Sequence, residues 1–505
     1  MTTKSLPCFI LLLICGFIAT AQTYKPPVFT DAERLKKIEA TYPVLDQLYK
    51  DYAEKSHWPG MTFGIVVDGK LVHTGGSGYT DVNAKIVADA SSDFRIASMT
   101  KSLTAMAILK LRDEGKLRLD DPAAMYIPEM RNMSYLTADA SVVTIRNLLT
   151  HSAGYPEDNP WGDRQLAVSD DELLALYRKG VSFSNNPGLG YEYSNLGFAT
   201  LGYIIKKVSG KTYETYITEY ILKPLGMTHT YWEYNLIPNE KLAHGYRWLD
   251  DQWVEQPMLH DGTYGAMGGL ITTIEDFSKY MAVHINAWPP RDDVESGPIK
   301  RSSIREMQYP WDISGLQLEG KNTPAVSAYC YGLGWGKDRY KRVYVGHTGG
   351  LPGFGSNWKI MPDYGIGVVC FANLTYANAG RINNSVLDTL LTLSGIKPRE
   401  LPASAILTQR KIELMKVIDD WSTAKSSGIF AVNFFMDYFP DKLKVATAEL
   451  MEKTGKIVSV GDVVPENQLR GYFIIKGEKG NLKASFTLTP ERPALIQEYH
   501  LDAAP

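Results

Sequence analysis

The apolar positions between Arg95 and Gly115 do not follow the one-sided pattern of a surface helix. They lie almost all the way round a helical projection and comprise Met99, Leu103, Met106, Ala107, Ile108 and Leu111. A helix that is apolar on every face is typical of the interior of a large domain. Gly115 follows, and glycine ends helices at little cost. The pattern therefore predicts a buried helix that begins at Ser98.

Sheet-forming patterns occur at both ends of a long helical region. Thr62–Val67 and Lys70–Gly78 read as strands, and the Asp68–Gly69 pair between them is a strong hairpin signal. Strands return between Tyr331 and Asn373. The segments between these ends predict helices at Thr144–His151, Asp170–Lys179, Asn195–Ser209, Tyr213–Leu222 and Thr272–Ile285. This order predicts a mixed α/β domain in which two sheet-forming ends enclose a helical insertion.

Boundary signals refine this division. Thr272 and Glu275 form a predicted capping box for the helix that they open. A helix at Arg381–Leu393 closes the first domain, and a Pro- and Gly-containing stretch follows. Near the end of the chain, apolar and polar residues alternate over Leu482–Thr489, as in a half-buried strand. We therefore predict a main domain over 22–394, a linker over 395–407 and a small α+β domain over 408–505.

The first residues have the composition of an export signal. Lys4 precedes the apolar run Leu6–Ile18, and Ala19-Thr20-Ala21 supplies a small-x-small site before Gln22. We predict a signal peptide over 1–21 and an exported protein, periplasmic or secreted. Ile14 is too large for the usual lipid-attachment pattern, which argues against a lipoprotein anchored at Cys15.

Composition excludes several classes of protein. The chain has 505 residues, more than one core usually supports, and a net charge of −3. That charge gives no electrostatic case for binding nucleic acid. Removal of the signal would leave Cys330 and Cys370, too few for a disulfide scaffold. No Cys or His pair has metal-ligand spacing, so we predict neither a metal nor a cofactor.

Three short motifs carry candidate chemistry. Ser98 and Lys101 lie one turn apart on the same face of the predicted helix, where the first-turn amides lack partners within the helix. Tyr193 and Asn195 stand at i and i+2, which in an extended segment places both on one side. His347 and Gly349 share a side in the same way, and a glycine there leaves room for a substrate backbone. Ser422 and Lys425 repeat the first spacing in a polar setting, so spacing alone decides little.

In this order the motifs resemble those of class C β-lactamase-related serine hydrolases, the group that contains D-Ala-D-Ala carboxypeptidases, D-aminopeptidases and some esterases. Other segments of the sequence also resemble this family, among them NLLTHSAG at Asn147–Gly154 and GHTGGLPGF at Gly346–Phe354. The resemblance covers roughly Glu33–Ser394. It implies a β-lactamase/transpeptidase-like antiparallel sheet flanked by helices, with an all-α lobe. From about Thr408 the chain more faintly resembles the cystatin-like α+β modules appended to some such hydrolases.

The resemblance implies a role for each residue. Ser98 is the expected nucleophile and needs a base. Either burial lowers the pKa of Lys101 so that it serves, or Lys101 stays charged and lowers the pKa of Tyr193, which then acts as base. Asn195 is expected to bind the substrate carbonyl and to hold Lys101. The backbone amides of Ser98 and Gly350 are the expected oxyanion hole, and His347, Gly349 and Gly350 complete the predicted substrate-binding set.

Three further segments match one of the motifs, but their flanking sequences do not resemble those of the family. They are Tyr376–Asn378, His260–Gly262 and Lys453–Gly455, and we reject all three as site residues. The last follows a helical pattern, so Gly455 is expected to cap a helix.

One departure bears on substrate. Where many β-lactamases carry Lys-Thr-Gly, this chain has His347, and histidine is mostly neutral at pH 7. That favours esters or peptides over substrates bound through a carboxylate. The first hypothesis is an exported serine hydrolase that cleaves an ester or amide/peptide bond of a small-molecule, peptide or cell-wall-derived substrate through a Ser98 acyl-enzyme. The alternatives are a β-lactamase or D-Ala-D-Ala carboxypeptidase, and a catalytically inactive binding protein. No partner of the C-terminal domain can be named.

Overall fold

The computed structural model describes residues 24–316 and 326–504. Two compact units are present, one formed by 29–399 and the other by 24–28 together with 400–504. The change of unit at 399/400 falls inside the predicted linker. The predicted signal peptide and Cys15 lie outside the described residues. Among those described, no helix has the length and apolar character needed to span a bilayer.

Strands of the larger unit come mainly from the two ends of its sequence. Within the described chain they are β1 (Gly60–Val67), β2 (Lys70–Asp81), β3 (Ile86–Val87), β4 (Phe94–Arg95), β5 (Thr230–Tyr231), β6 (Gly245–Leu249), β7 (Gln252–Gln256), β8 (Ile271–Thr272), β9 (Asp312–Leu316), β10 (Val326–Tyr329), β11 (Gly334–Lys337), β12 (Val343–Leu351), β13 (Phe354–Met361) and β14 (Ile366–Ala372). Nine of these described strands form one antiparallel sheet in the order β3-β2-β1-β14-β13-β12-β11-β10-β9.

Helices of the larger unit are mostly in the middle of the sequence. Those described are α1 (Arg34–Glu39), α2 (Tyr42–Lys55), α3 (Thr100–Asp113), α4 (Ile145–Leu149), α5 (Asp170–Lys179), α6 (Asn195–Ser209), α7 (Tyr213–Ile217), α8 (Gly265–Gly268), α9 (Ile274–Asn286), α10 (Arg301–Met307) and α11 (Ala379–Ser394). Helix α9 packs on one face of the sheet, and α2 with α11 covers the other. The mixed architecture with a helical insertion is therefore confirmed.

Local chemistry explains the elements nearest the site. Asp68 and Gly69 both have positive φ, 49° and 76°, as the predicted two-residue hairpin between β1 and β2 requires. Helix α3 is buried on nearly every side, as its apolar pattern predicts. It ends at Asp113, and Gly115 follows with φ of 73°. Ser98 itself lies just before α3, in the 3₁₀ turn Ala97–Met99.

One predicted helix cap and one predicted backbone conformation are wrong, although α6 has its predicted bounds, Asn195–Ser209. Thr272 does not cap α9, because its backbone pairs with Phe94 and Thr230 in a small sheet, β4-β8-β5. Thr273 caps the helix instead and accepts from the Asp276 amide at 3.0 Å. The predicted extended Tyr-x-Asn segment is also corrected, because Ser194 is the N-cap of α6 and Asn195 is the first helical residue.

The smaller unit has α+β composition. Its helices are α12 (Ala405–Asp419), α13 (Phe434–Asp437) and α14 (Pro440–Thr454), and its strands are β15 (Ile457–Val460), β16 (Val464–Pro465), β17 (Arg470–Gly477), β18 (Asn481–Leu488) and β19 (Ile496–Ala504). Along β18 the residues Leu482, Ala484, Phe486 and Leu488 are buried and their neighbours half-exposed, as the alternating pattern predicts. Gly455 ends α14 with φ of 75°, which fits its predicted capping role.

Candidate active site

Ser98 is held at a strained turn between β4 and α3. Ala97 precedes it with φ of 50°, a conformation that costs free energy for a residue with a side chain. The contacts that fix the turn include a hydrogen bond from Ser356 Oγ to the Ile96 carbonyl at 2.7 Å and one from the Arg95 guanidinium to the Leu259 carbonyl at 2.8 Å. Ser98 is consequently presented at the start of a rigid helix.

Lys101 lies one turn behind Ser98 with no exposed surface. Its Nζ lies 3.0 Å from Ser98 Oγ, 2.8 Å from Asn195 Oδ1 and 2.9 Å from the Met267 carbonyl oxygen. Burial lowers the pKa of Lys101 to about 7, although the negative charges of Asp163 and Asp158 act to raise it. Both conditions for a base are met, since the amine touches the serine hydroxyl and its ammonium form is disfavoured.

Tyr193 packs over the same amine, its ring centroid 4.9 Å from Lys101 Nζ. The ring lies 4.3 Å from that of His151, whose Nδ1 accepts from the Ser194 amide at 3.1 Å. Burial raises the pKa of Tyr193 well above its usual value, despite hydrogen bonding to Ser98. The phenol is therefore protonated near neutral pH, which favours Lys101 over Tyr193 as the base.

His347 is neutral and its tautomer is fixed. Nδ1 lies 2.6 Å from the Thr348 carbonyl oxygen, which can only accept, so Nδ1 carries the proton. Nε2 then accepts from the Tyr329 hydroxyl at 2.8 Å. Burial, with the charge of Lys101, lowers the pKa of His347 to about 3. The side chain offers no cation to a substrate.

Gly349 and Gly350 differ in their surroundings. A Cβ at Gly349 would lie 2.2 Å from the Ile96 carbonyl oxygen and 3.1 Å from the Ala97 Cβ. The glycine thus lets β12 approach the segment that carries Ser98, which differs from the predicted reason of making room for substrate. Gly350 borders the cleft in front of Ser98.

The cleft has a volume of about 920 Å³. Residues at its surface include Ser98, Asp163, Tyr191, Tyr193, Tyr329, His347, Gly350 and Tyr376. In the described chain its charged lining residues are Glu157, Asp163, Glu192 and Lys359. Aromatic rings and acidic groups therefore surround the serine.

Asn195 is fully buried, and its amide joins Lys101 to residues that the sequence analysis did not select. While Oδ1 accepts from Lys101, Nδ2 donates to Asn159 Oδ1 at 2.7 Å and approaches Asp163 Oδ1 at 3.4 Å. Asp163 in turn accepts from the Tyr376 hydroxyl at 3.0 Å. Asn195 holds Lys101 as predicted, but its amide is already committed to protein partners.

The rejected Tyr376 motif needs a correction, because Tyr376 lines the cleft. The other two rejected matches have structural roles: His260 is exposed, 3.1 Å from Glu233 Oε2, and Gly455 caps α14. In the parts of the chain that the structure describes, no group of three or more His, Cys, Asp or Glu residues is placed to hold a metal ion.

A buried serine–lysine pair at the head of a helix, facing a strand across a cleft, defines the class of acyl-transferring serine enzymes. Comparison with known proteins gives the family. The Beta-lactamase family model matches residues 45–392, and the chain belongs to that family.

Relatives and solved structures agree with this assignment. Protein flp of Staphylococcus aureus (strain MRSA252) is 30% identical over 336 residues, which are 65% of this chain and 62% of flp. PbpX of Bacillus subtilis (strain 168) is 29% identical over 373 residues, 70% of this chain and 81% of PbpX. The match thus spans less than two thirds of flp. The octameric penicillin-binding protein homologue from Pyrococcus abyssi has the same fold, with a TM-score of 0.60 and 23% identity over 91% of this chain and 95% of that one.

Proposed function

We propose that the protein is an exported serine hydrolase that cleaves an ester or amide bond through an acyl-enzyme on Ser98. One observation carries the proposal: the Lys101 amine, fully buried, lies 3.0 Å from Ser98 Oγ at the surface of a cleft large enough for a small peptide. Export rests on the sequence of residues 1–21.

Acylation follows from the hydrogen bonds of Lys101. A neutral amine has two N–H groups and one lone pair, and Asn195 Oδ1 and the Met267 carbonyl are acceptors that take the two N–H groups. The lone pair is left for the Ser98 O–H. As Ser98 Oγ bonds to the substrate carbonyl carbon, its proton moves to Lys101, and the resulting ammonium returns the proton to the leaving group.

The remaining groups act on the developing charge and on water. The backbone amides of Ser98 and Gly350 are the proposed oxyanion hole, and both residues border the cleft. Tyr193, protonated and packed against Lys101, is placed to relay that proton: it donates its phenol proton to the leaving group and takes up the one that Lys101 holds. Deacylation repeats these steps, with water as the nucleophile and Lys101 again as the base.

The cleft supports esters or peptides rather than substrates bound through a carboxylate. His347 is neutral, and three of the four charged lining residues in the described chain are acids. We therefore expect β-lactam turnover to be slow or absent, although the solved structure above is named a penicillin-binding protein homologue. Release of D-alanine from a muropeptide would instead identify a carboxypeptidase.

Intact-protein mass spectrometry after treatment with a fluorophosphonate tests the proposal. Wild type should gain one adduct and turn over p-nitrophenyl acetate, whereas Ser98→Ala should do neither. Ser422→Ala is the matched control, because Ser422 and Lys425 repeat the motif spacing on an exposed turn. If wild type takes no label, the proposal fails and the inactive binding protein becomes the better account.

A further inference from the structure

The groups around Lys101 do not end at Asn195. On the far side of the Asn195 amide, Asp163 is buried, with 2% of its surface exposed. Gly162 makes this approach possible, because a Cβ there would lie 2.7 Å from the Asn195 Cβ. The 3₁₀ turn Gly162–Arg164, which carries Asp163, therefore packs directly on the residue that holds Lys101.

Tyr376 fixes the other Asp163 oxygen. Its hydroxyl donates to Asp163 Oδ2 at 3.0 Å, and its ring lies so close to Gly350 that a Cβ there would be 2.9 Å from Tyr376 Cδ1. Tyr376 achieves this with φ of 54°, a strained conformation for a bulky residue. Strain of this kind persists only where the surrounding structure determines it, and it is concentrated at functional sites.

We infer that Asp163, held by Tyr376, is a positioning residue that acts through the Asn195 amide to stabilise the Lys101 ammonium formed during acylation. The inference rests on the proposed hydrolase function and deepens it. In the step concerned, the Ser98 O–H bond breaks, its proton bonds to Lys101 Nζ, and the serine oxygen bonds to the substrate carbonyl carbon. A carboxylate one amide away lowers the free energy of the cation that results.

Asp158 also favours the Lys101 ammonium, though by less than Asp163 does, and the other charged groups near the pair do not fill this role. The Asp158 carboxylate binds the start of α6, where it accepts from the main-chain N–H of Asn195 at 2.6 Å and from that of Leu196 at 2.8 Å. Lys101 also faces His151 and His347, and burial lowers the pKa of both well below the usual range. Within 24–316 and 326–504, the other titratable and charged groups that face Lys101, Asp163 or Tyr376 are Tyr193, Arg164 and Arg247.

The pH dependence of Ser98 labelling by a fluorophosphonate tests the inference. The Asp163 carboxylate raises the pKa of Lys101, so its removal lowers that pKa. In Asp163→Asn the acidic limb of the labelling rate should move to lower pH by about one unit, with a lower plateau. Asp163→Glu should restore the limb. Tyr376→Phe should shift it in the same direction by less, because burial raises the pKa of Asp163 and the hydrogen bond from Tyr376 opposes that rise, so that its loss makes the carboxylate form less favourable.

Tyr126→Phe is the matched control, since it removes a similar tyrosine–aspartate hydrogen bond, 2.7 Å to Asp121 Oδ2, outside the cleft. The acidic limb of the labelling rate of Tyr126→Phe should coincide with that of wild type. If Asp163→Asn does not fold, Tyr376→Phe decides, because Tyr376 is 43% exposed and phenylalanine keeps the ring. An unmoved limb in folded Asp163→Asn or Tyr376→Phe, with only a lower plateau, would overturn the inference alone. A wild type that takes no label would overturn the proposed function, and the inference with it.

Discussion

Gly349→Ala should disable the site without touching any of its chemical groups. The added methyl would lie 2.2 Å from the Ile96 carbonyl oxygen, 2.3 Å from Ser356 Oγ and 3.1 Å from the Ala97 Cβ. Ser356 can rotate away, but the Ile96 carbonyl is main chain and cannot. Ordinary contact between carbon and oxygen requires about 3.3 Å, so β12 must move from the Ser98 turn by about 1 Å.

A displacement of this size has two measurable effects. Overpacking of a close contact costs about 1–3 kcal/mol of unfolding free energy. A misplacement of about 1 Å in a catalytic arrangement lowers the rate by about 100-fold. We therefore expect Gly349→Ala to fold with reduced thermal stability and to lose about 100-fold in kcat/KM for p-nitrophenyl acetate.

Gly197→Ala supplies the control. Gly197 lies in α6, two residues after Asn195, but the nearest atom to its added Cβ is 3.7 Å away, which is ordinary contact. This variant should keep wild-type activity and gain slightly in stability, since alanine is the better helix former. If Gly349→Ala matched wild type in both measurements, the close approach of β12 to the Ser98 turn would not determine the site geometry.

Four further outcomes are expected. Because the pKa of Lys101 is about 7 and the neutral amine is the active form, kcat/KM should fall below neutral pH and be about 100-fold lower at pH 5 than on its plateau. Lys101→Arg should lose about 1,000-fold in the plateau rate, whereas Tyr193→Phe should keep an acidic limb near pH 7; loss of that limb in Tyr193→Phe would make Tyr193 the base. His347→Lys should raise the ratio of kcat/KM for nitrocefin to kcat/KM for p-nitrophenyl acetate at least about 10-fold, because the lysine would form a charge-assisted hydrogen bond to the nitrocefin carboxylate. If this ratio is unchanged, residue 347 does not determine substrate selectivity. Asn373→Ala should lower the free energy of unfolding, measured by chemical denaturation, by about 3 kcal/mol. The Asn373 side chain accepts from the Gly60 amide at 2.7 Å and donates to the Tyr79 carbonyl at 3.0 Å, and both groups would lose this partner. A variant that unfolds at the same denaturant concentration as wild type would refute that role.

Features that depend on local sequence were predictable. The apolar residues that follow Ser98 predict a buried helix, and Asp68–Gly69 predicts a tight two-residue hairpin. The errors arise where two local signals compete. Thr272 and Thr273 are equally good caps by residue type, and only the pairing of Thr272 in a small sheet decides between them.

Residues that act across the fold were not predictable. The sequence around Tyr376 does not resemble the family's Tyr-x-Asn motif, yet Tyr376 reaches Asp163, 213 positions earlier in the chain. Met267 contributes only a backbone carbonyl, which leaves no trace in residue type. The choice between Lys101 and Tyr193 as base also depended on burial, which a single sequence does not show.

The order of strands in the large sheet has a consequence for how the protein is made. β1 pairs with β14, so that Val67 lies opposite Ile366, and this pairing must wait until nearly the whole domain has been synthesised. Pairings of such high sequence separation are formed late and slowly. The nascent chain therefore carries Ser98 and Lys101 before the strand that bears His347 exists. We expect the lysine to be solvated and charged in that state, because its pKa is lowered only by burial in the folded domain, and the serine to stay unreactive until the domain has folded.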